Sequence, residues 1–394
     1  MKTLLFLFWI SLVIVFYTYL GYGFLLYFLV RIKECFNKPA TYQLSKDTFP
    51  EVTLLIAAYN EENIVDDKMA NTSALDYPPD KLKILWITDG STDNTNFKLS
   101  NYENVEILFE PKREGKTAAI NRALPFVRTH LIIFTDANAM LNKEAVTEIV
   151  RSFSDPRVGC VAGEKRIASK EKDSTSSGGE GIYWKYESTL KALDSRLYSA
   201  VGAAGELFAI RTELFEKMEI DTLLDDFILS MRIAQKGYKI EYCSNAYAIE
   251  EASYSMSEEK KRKVRIAAGG IQSVCRLRAL LNFLRYPMLS FQFISHRVLR
   301  WTITPLLLFA LFPLNLCLVA VGGGAIYILL FIFQLVFYIL AIIGKQSEGK
   351  RIRNKFLFVP YYFLFMNINV FEGFVYLLKK KKGDGTWEKA KRGQ

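Results

Sequence analysis

Apolar runs of two lengths alternate along this chain and divide it into membrane and globular parts. The first run covers residues 3–30 and is rich in Phe, Leu, Tyr and Trp, with Lys2 before it and Arg31 after it. As a helix it would extend about 40 Å, which is enough to cross a bilayer. A cleaved signal peptide has a shorter apolar core and a small-residue cleavage site, and no Ala-x-Ala site follows here. We therefore predict a transmembrane anchor over residues 1–31.

Shorter apolar runs follow, and segments with helical patterning separate them. Five of these runs predict β-strands: VTLLIAAY, KILWITD, VEILFE, HLIIFTDA and VGCVAG. Such alternation favours an α/β domain with a mostly parallel sheet covered by helices, here over residues 51–275. Residues 170–179 are polar and predict a loop. Ligands of open α/β sheets bind at the carboxyl ends of the strands, where Asp89 and Asp136 stand.

Longer apolar runs return after the globular part. Residues 276–297 mix apolar and basic positions and predict an amphipathic segment at the membrane interface. Residues 298–378 predict a C-terminal membrane region, in which two runs, at about 298–320 and 325–343, are long enough to span a bilayer. A basic tail, residues 379–394, ends the chain.

A last apolar run, at about 356–378, allows two topologies. The positive-inside rule puts the basic loop 345–355 in the cytoplasm together with residues 31–297. If the last run spans the bilayer, the four lysines that begin at Lys379 lie outside; if it is interfacial or re-entrant, they stay inside. Pro360 interrupts its apolar character, and both alternatives remain open.

Composition supports the membrane assignment and narrows the chemistry. Hydrophobic residues make up 51% of the chain, and the net charge is +10. The basic residues cluster beside apolar runs, as membrane flanks do, so we expect no nucleic-acid partner. Five scattered Cys without a CxxC pair and only two His argue against a disulfide framework or a zinc site. A metal would then sit on oxygen ligands, which favours Mg²⁺ or Mn²⁺.

Two polar motifs end the first two predicted strands. AAYNEE carries Asn60 and Glu61, which either hydrogen-bond a base edge or merely cap the next helix. TDGSTDNT puts Asp89 at a strand end before the flexible Gly90. A carboxylate there accepts from a uracil N–H or a ribose hydroxyl, and the alternative is an ordinary Asx turn. Asp93 could accept a hydrogen bond in the same way, or it could simply cap the next helix.

Two further motifs suit a diphosphate and its cation. REGKTAAINRAL sets Lys116 at the start of a helix, where an ammonium meets phosphate, although the upstream Gly of a P-loop is missing. TDANAM offers Asp136 and Asn138, which would point the same way in an extended segment. Together they are two oxygen ligands for one divalent cation, which would neutralise a leaving diphosphate. A simple turn is the alternative.

The motif LLDDF introduces an amphipathic helix that ends near Gly237. Asp225 and Asp226 precede that helix. Either they cap it and complement its dipole, or one of them is a general base near a donor sugar.

The motif KKRKVRIAAGGIQ is strongly basic. It forms either a solvated or membrane-surface face, or a segment in which Arg262, Lys263 and Arg265 close over a diphosphate. In the second interpretation Gly269 and Gly270 would let the segment flex.

Taken in order, from about Val52 to Gln272, these motifs resemble those of the membrane-bound family-2 glycosyltransferases, which include cellulose, hyaluronan and poly-N-acetylglucosamine synthases. The flanking transmembrane helices fit the same architecture. The resemblance implies a GT-A type nucleotide-sugar-binding domain, a UDP-sugar donor, and inversion at the anomeric carbon by direct displacement.

The resemblance also implies roles for single residues. Asp89 resembles the carboxylate that reads uridine. Asp136 resembles the metal-binding aspartate of the DxD motif, whose second Asp is Asn138 here. Asp226 resembles the last Asp of the TED motif, the catalytic base, and Asp225 takes the Glu position.

The segment AAGELFAIR, with Glu206, resembles the acceptor-side segment before the TED motif. The QxxRW motif is altered, because Arg262 replaces its Gln and Ile266 its Trp, while Arg265 is retained. A later RVLRW, ending at Trp301, imitates the motif at the entry to a spanning run, and we interpret this Trp as an interfacial aromatic.

These observations predict a membrane enzyme of the cell (inner) membrane with a cytoplasmic catalytic domain. The leading interpretation is transfer of a sugar from a UDP-sugar to a growing exopolysaccharide chain. The alternative is a non-processive transferase acting on a lipid or lipid-linked acceptor, which the altered QxxRW and the few spans favour. A non-enzymatic scaffold would have no reason to bring Asp89, Asp136 and Asp226 together.

Overall fold

The computed structural model describes residues 1–36, 48–168, 175–251, 255–346, 355–380 and Gly385, and for residues 175–183 and Lys355 the backbone alone. Most of the predicted basic loop 345–355, most of the tail 379–394 and the first half of the predicted loop 170–179 lie outside these residues. The second half of that loop prediction is wrong, because a long helix begins at Thr175 and carries the Ser and Gly residues in its first turns.

One mixed sheet with the strand order β3-β2-β1-β4-β7-β6-β8-β5 forms the centre of the globular part. Its strands are β1 Val52–Ala58, β2 Leu82–Asp89, β3 Val105–Glu110, β4 Leu131–Asp136, β5 Met140–Leu141, β6 Val158–Ala168, β7 Leu207–Arg211 and β8 Lys239–Glu251. Strands β1 to β4 are mutually parallel, whereas β7 runs antiparallel to both β4 and β6. Strand β8 pairs in parallel with β6, so that only β5 and β7 run against the other six strands. The expectation of a mostly parallel sheet is therefore confirmed.

Helices cover both faces of the sheet and continue into the apolar ends of the chain. The described α-helices are α1 Lys2–Phe16, α2 Tyr22–Phe36, α3 Val65–Ser73, α4 Thr95–Leu99, α5 Lys116–Ala123, α6 Ala145–Ser152, α7 Thr175–Leu197, α8 Asp225–Gln235, α9 Met256–Arg276, α10 Pro287–Phe293, α11 Leu299–Trp301, α12 Ile303–Ala320, α13 Ala325–Gln346 and α14 Lys355–Lys379. A π-helical turn, Tyr17–Gly21, joins α1 to α2, and a second one, Ile294–Val298, joins α10 to α11.

Neighbouring positions of the central strands face two separate apolar cores. Leu55 and Ile87 belong to the core under α5 and α8, while Leu54 and Trp86 belong to the core under α3 and α6. A strand buried on both faces is apolar at every position, and this explains why the sequence gives these strands as unbroken apolar runs.

The register of the sheet aligns the ends of three strands. β1 pairs with both β2 and β4, so that Ala58 lies opposite Thr88 and Ala57 lies opposite Asp136. The carboxyl ends of β1, β2 and β4 therefore meet at one edge, as the sequence predicted for Asp89 and Asp136.

Four helices in the described part of the chain are long and apolar enough to cross a membrane: Lys2–Phe36, Ile303–Ala320, Ala325–Gln346 and Phe356–Lys379. They coincide with the predicted anchor and the three predicted C-terminal runs. The predicted amphipathic segment 276–297 contains α10, which buries Phe293, while Leu284 in the preceding turn is 96% exposed. Contact of this segment with a bilayer stays a prediction.

Helix α2 of the predicted anchor packs on the globular part of the chain through α7. The two helices share one buried cluster: Tyr22, Leu26, Val30, Leu190, Leu193 and Leu197. Polar contacts reinforce the packing, because Lys33 donates to the carbonyl oxygens of Arg196 and Leu197 at the end of α7. Helix α7 is thus held between the anchor and the sheet.

Candidate active site

One cavity of about 3110 Å³ opens at the carboxyl edge of β1, β2 and β4 and continues between the membrane helices. Every candidate site residue of the sequence lines it: Asn60, Glu61, Asp89, Lys116, Asp136, Asn138, Glu206, Asp226, Arg262 and Arg265. Residues far apart in the sequence therefore share one chamber.

Asn60 and Glu61 tie two loops together and do not cap a helix. Asn60 has a positive φ of 53°, and its backbone N–H donates to Ser91 Oγ at 3.1 Å. In return its side-chain oxygen accepts from the N–H of Thr92 at 2.8 Å. Helix α3 begins four residues later without a side-chain cap. The cap alternative for Asn60 and Glu61 is therefore wrong.

Asp89 is buried and shapes the loop that leads into α5. Its Oδ2 accepts from the N–H groups of Glu114 and Gly115, at 3.0 and 2.7 Å. Gly90 has φ +71°, and a Cβ there would come within 2.6 Å of the Arg113 Cβ. Asp89 thus bonds a distant loop, so the Asx-turn alternative is wrong. Its role in reading uridine stays a prediction.

Tyr59 and Arg113 are cavity residues that the sequence analysis did not select. The Arg113 guanidinium lies over the Tyr59 ring, 3.7 Å from its centroid, beside Asp89 at the cavity wall. Such a pair presents a flat, cationic surface of the kind on which a nucleobase stacks. Tyr59 lies within AAYNEE and Arg113 within REGKTAAINRAL. Their place beside the selected motif residues was therefore the only sequence feature that could have indicated a role in the site.

Lys116 connects two carboxylates at the centre of the cavity. Its Nζ lies 2.6 Å from Asp136 Oδ1 and 3.9 Å from Asp225 Oδ2. Burial opposes the charge on this ammonium, but Asp136 and Asp225 more than offset it and hold the pKa of Lys116 above its ordinary value. The lysine therefore stays cationic and available to phosphate oxygens.

Asp136 and Asn138 lie in a turn, because the Ala139 N–H donates to the Asp136 carbonyl oxygen at 3.1 Å. The expectation of an extended segment is wrong, since β4 ends at Asp136 itself. The Asn138 amide donates to Glu250 Oε1 at 3.0 Å, which leaves its oxygen as the possible metal ligand.

The donor set fits a cation that is shared with a substrate. Among the described residues no cluster of three or more His, Cys, Asp or Glu suited to a metal occurs. Mg²⁺ commonly binds through one or two carboxylates together with substrate phosphates and water. Asp136 supplies one carboxylate, and Asp225 Oδ2 nearby is buried without a hydrogen-bond partner. These oxygens suit a cation that arrives with a diphosphate.

Asp226 is the second residue of α8 and faces the enclosed cavity. The helix begins at Asp225, and no side chain caps it, so the cap interpretation of this pair is wrong. Both carboxylates do lie in the first turn of α8, where they complement the helix dipole. Burial, followed by the negative charge of Asp225, raises the pKa of Asp226 to about 7, although Lys116 acts in the opposite direction. A carboxyl group with such a pKa exchanges protons readily near neutral pH.

Glu206 is engaged in a buried ion-pair triad. Lys165 donates to both Glu206 and Glu250. Burial would raise the pKa of Glu206, but Lys165 outweighs it and lowers this pKa to about 2. Glu206 is therefore a poor base at neutral pH, and its position beside Gly205 and Asp226 suits substrate positioning.

The basic motif forms part of α9. Arg262 Nε lies 3.3 Å from Glu259 Oε2, while Arg265 lies in the field of the site carboxylates, which favour its charge against the effect of burial. Gly269 and Gly270 do not provide flexibility. A Cβ at Gly270 would come within 2.4 Å of the Trp301 ring, so these glycines permit close packing inside a continuous helix.

Trp301 belongs to the cavity wall, which the sequence analysis did not predict. Its interpretation as an interfacial aromatic stays a prediction. Its ring stands edge-on to Phe227, with centroids 5.1 Å apart, and Phe227 follows Asp226 in α8. Arg297 lies over the Trp301 ring at 5.6 Å. The late RVLRW segment thus adds an aromatic ring to the cavity wall against Phe227, the residue after the candidate base, whereas the sequence analysis had placed the altered motif at Ile266.

Comparisons with known proteins agree with this arrangement. A family model described as "Glycosyl transferase family 2" matches residues 53–219. The poly-beta-1,6-N-acetyl-D-glucosamine synthase of Staphylococcus aureus (strain MSSA476) is 28% identical over 264 residues, which cover 64% of this chain and 61% of that protein. The protein of the same name from Staphylococcus epidermidis is 26% identical over 268 residues, 64% of this chain and 62% of that protein. The chain thus matches about three fifths of the length of these curated relatives.

A solved structure matches nearly the whole chain. The mannosyltransferase PcManGT from Pyrobaculum calidifontis, in complex with GDP-Man and Mn²⁺, gives a TM-score of 0.70 at 21% identity and covers 95% of this chain and 99% of that chain. At this identity the match shows the fold, and it confirms the predicted GT-A type domain with apolar helices at both ends.

Proposed function

We propose that this chain, whose residues 53–219 form a glycosyl transferase family 2 domain, transfers a sugar from a nucleotide-sugar donor to a growing exopolysaccharide. The observation that carries the proposal is the convergence of Lys116, Asp136 and Asp226 in one cavity at the carboxyl edge of the sheet. A cation for phosphate, a metal-ligating carboxylate and a proton acceptor are what this reaction requires.

The donor half of the cavity lies at the ends of β1, β2 and β4. Tyr59 and Arg113 suit the nucleobase, and a UDP-sugar is the donor that we expect. Lys116 and Arg265 supply positive charge for the diphosphate. A divalent cation on Asp136 and Asn138, Mg²⁺ or Mn²⁺, would neutralise the leaving diphosphate when bound.

The transfer step uses Asp226 as the base. Its carboxylate takes the proton of an acceptor hydroxyl, and the hydroxyl oxygen forms a bond to the anomeric carbon of the donor sugar. The bond between that carbon and the diphosphate oxygen breaks, and its electron pair leaves with the nucleoside diphosphate. Attack from the face opposite the leaving group inverts the anomeric carbon. The Lys116 ammonium stabilises the negative charge that develops on the diphosphate.

A polymeric acceptor is supported by the relatives and by the size of the cavity. The curated relatives are named as polysaccharide synthases. The cavity, at about 3110 Å³, exceeds the range of about 300–1,000 Å³ for sites of single small ligands. Room remains for several sugar units beside one nucleotide-sugar.

A lipid or lipid-linked acceptor is the second candidate, and the far end of the cavity favours it. Apolar side chains of the membrane helices line that end: Leu12, Val15, Phe16, Leu20, Leu308, Phe337, Phe363 and Met366. Such a lining suits an acyl or isoprenoid chain better than a hydroxylated one.

We also propose that the protein resides in the cell (inner) membrane with its catalytic part in the cytoplasm. The arrangement of α14 supports the interfacial alternative for the last apolar run. Near its start Phe358 shares a buried cluster with Met256 of α9. Beyond its end, Gly385 approaches the carbonyl oxygens of Glu114 and Ile220 in the catalytic part. Both flanks of α14 therefore lie on the catalytic side.

A donor screen with the purified full-length protein tests the proposal. UDP-N-acetylglucosamine comes first, and release of nucleoside diphosphate with Mg²⁺ or Mn²⁺ is measured. Sizing of the labelled product then separates the two acceptors, since a polymer supports the first candidate and a single adduct in the lipid phase supports the second. Absence of diphosphate release with every nucleotide-sugar would contradict both.

A further inference from the structure

Lys191, on α7, is a buried lysine of the cavity wall with an unusual lack of partners. Its residue exposure is 5%. The other buried lysines of the described chain all have partners: Lys68 donates to Thr135 and Ala139, Lys165 pairs with Glu206 and Glu250, and Lys263 pairs with Glu259. Lys191 makes no hydrogen bond or ion pair with any described residue, and it lines the cavity.

Such a group is costly for the protein. Burial, followed by the charge of Arg297, lowers the pKa of Lys191. Burying a charged group without a partner is unfavourable. Because the side chain borders an open chamber, a ligand is the natural source of the missing acceptors.

The surroundings of Lys191 assign it to the acceptor side. One helical turn earlier on the same face of α7, Glu187 holds Arg297 at 2.5 Å and Arg300 at 3.2 Å. Arg297 in turn lies over Trp301. The donor diphosphate is assigned to Lys116, which contacts Asp136. Lys191 is thus linked through Glu187 and Arg297 to Trp301.

The charge balance around Lys191 favours a neutral ligand. The carboxylates of Glu187, Glu206 and Asp226 lie close enough to raise its pKa against the effect of burial. Glu206 and Asp226 would repel a phosphate group, while Glu187 is engaged with Arg297 and Arg300. Sugar hydroxyls meet no such repulsion, and they accept hydrogen bonds from an ammonium group.

We propose that Lys191 is an acceptor-binding residue, whose ammonium donates hydrogen bonds to oxygens of the neutral acceptor sugar and so presents that sugar's hydroxyl to Asp226. The inference rests on the proposed transferase function. It names the terminal sugar unit of the acceptor as the group bound. In this arrangement the acceptor sugar stacks on the Trp301 ring, and the hydrogen bonds from Lys191 fix the rotation of the sugar on that ring.

The test compares Lys191→Met with Lys191→Arg in the purified full-length protein. The matched control is Lys185→Met, an exposed lysine on the same helix. UDP-N-acetylglucosamine is the donor and a β-1,6-linked N-acetylglucosamine trimer is the acceptor. We expect Lys191→Met to raise the KM for the trimer at least about tenfold, as the loss of a charged hydrogen bond does, with unchanged donor binding and unchanged hydrolysis of donor in the absence of trimer. Lys191→Arg retains part of the affinity, and Lys185→Met matches the wild type.

Stability gives an independent readout. Met replaces an unpartnered buried charge, so the midpoint of thermal unfolding of Lys191→Met should equal or exceed that of the wild type. A purely structural role predicts a lower midpoint and an unchanged KM for the trimer, and that result would overturn the inference. If the wild type itself releases no nucleoside diphosphate, the proposed function fails. If the wild type is active and Lys191→Met binds the trimer normally, the assignment of Lys191 alone fails.

Discussion

Lys116 Nζ lies 2.6 Å from Asp136 Oδ1, so the residue assigned to the donor diphosphate directly touches the residue assigned to the cation. When a diphosphate and its cation enter, the ammonium can exchange a protein carboxylate for phosphate oxygens, while Asp136 turns to the metal. The pair therefore keeps both residues ordered and charged before the substrate binds, which is the preorganisation that electrostatic catalysis needs.

Asp136→Ala is expected to abolish metal-dependent transfer and to leave the fold intact. Loss of the cation removes several kcal/mol of stabilisation from the leaving diphosphate. Release of nucleoside diphosphate during a Mn²⁺ titration measures the effect, and circular dichroism checks the fold. Asp66→Ala, at an exposed carboxylate paired with Lys98, is the control. Wild-type turnover of the Asp136 variant in the presence of EDTA would refute the assignment.

Asp226→Asn should slow transfer by about 10²-fold or more while donor binding stays normal, because the amide cannot accept the acceptor's proton. Since the pKa of Asp226 is about 7, kcat/KM of the wild type should rise with pH through about 7, and this limb should vanish in the variant. A wild-type rate in Asp226→Asn would show that another residue is the base.

The thermal stability of Asp226→Asn gives a second test of the charge assigned to this group. The folded-state pKa of Asp226 lies above the ordinary value of 3.8, so the folded protein binds this proton more tightly than the unfolded chain. Stability from this group therefore falls as the pH rises from about 4 to about 7, and above that window the ionised form destabilises the fold. At pH 8 Asp226→Asn should unfold at the same temperature as the wild type or higher. A clear decrease would contradict the charge assignment.

Lys165→Met should destabilise the protein by about 3 kcal/mol or more, because two buried carboxylates lose their common counter-ion. Without Lys165, burial would raise the pKa of Glu206, so that Glu206 takes up a proton on folding and the loss of stability should shrink at acidic pH. Denaturant unfolding at pH 5 and pH 8 measures both effects. Lys185→Met serves as the control for loss of a surface lysine. Equal unfolding free energies in the two variants would argue against the triad.

Trp301→Ala should weaken the acceptor side selectively. Removal of the ring leaves Phe227 and Gly270 without their neighbour, and stacking on a sugar is lost. We expect a rise in the KM for the acceptor trimer and little change in donor hydrolysis. Trp9→Ala is the control, since that ring belongs to the membrane anchor. An unchanged KM for the acceptor trimer in Trp301→Ala would indicate that Trp301 only packs against its neighbours and does not bind the acceptor.

Topology is testable by cysteine labelling in a variant that lacks the five native cysteines. If α14 is interfacial, a cysteine at Lys380 is protected from an impermeant reagent in intact cells, whereas one at Gly322, between α12 and α13, is labelled. Labelling of both positions would indicate that α14 crosses the membrane. Labelling at position 380 alone would indicate that the protein has the opposite orientation in the membrane.

The sequence was sufficient for the elements whose signal is local. Strands β1 and β2 are unbroken apolar runs, and polar residues at their ends marked the site. The sequence was insufficient where the position of a strand or side chain depends on contacts with residues that are distant in the chain. β7 was missed because the short run LFAIR becomes a strand only between β4 and β6, which form its pairs. The place of Trp301 in the cavity wall was missed because nothing near it in the chain indicates its contact with Gly270 of α9.

Lys191 illustrates a different limit. A lysine within a helical pattern is predicted to face solvent, and its burial follows from the packing of α7 between the anchor and the sheet. The same holds for Lys116, whose carboxylate partners come from β4 and α8. Charge pairing across elements follows from the tertiary structure, and residue spacing in the chain carries no signal for it.

The shared cluster of α2 and α7 makes the anchor a working part of the enzyme and not a tether. A fragment that lacks the first 36 residues would expose Leu190, Leu193 and Leu197 to water, and it would free the helix that carries Glu187 and Lys191. A change in bilayer thickness that tilts the anchor would likewise shift this wall relative to Asp226. The catalytic rate should therefore depend on the acyl-chain length of the lipids in reconstituted vesicles, and the lipid composition has to be specified whenever the rate of this protein is measured.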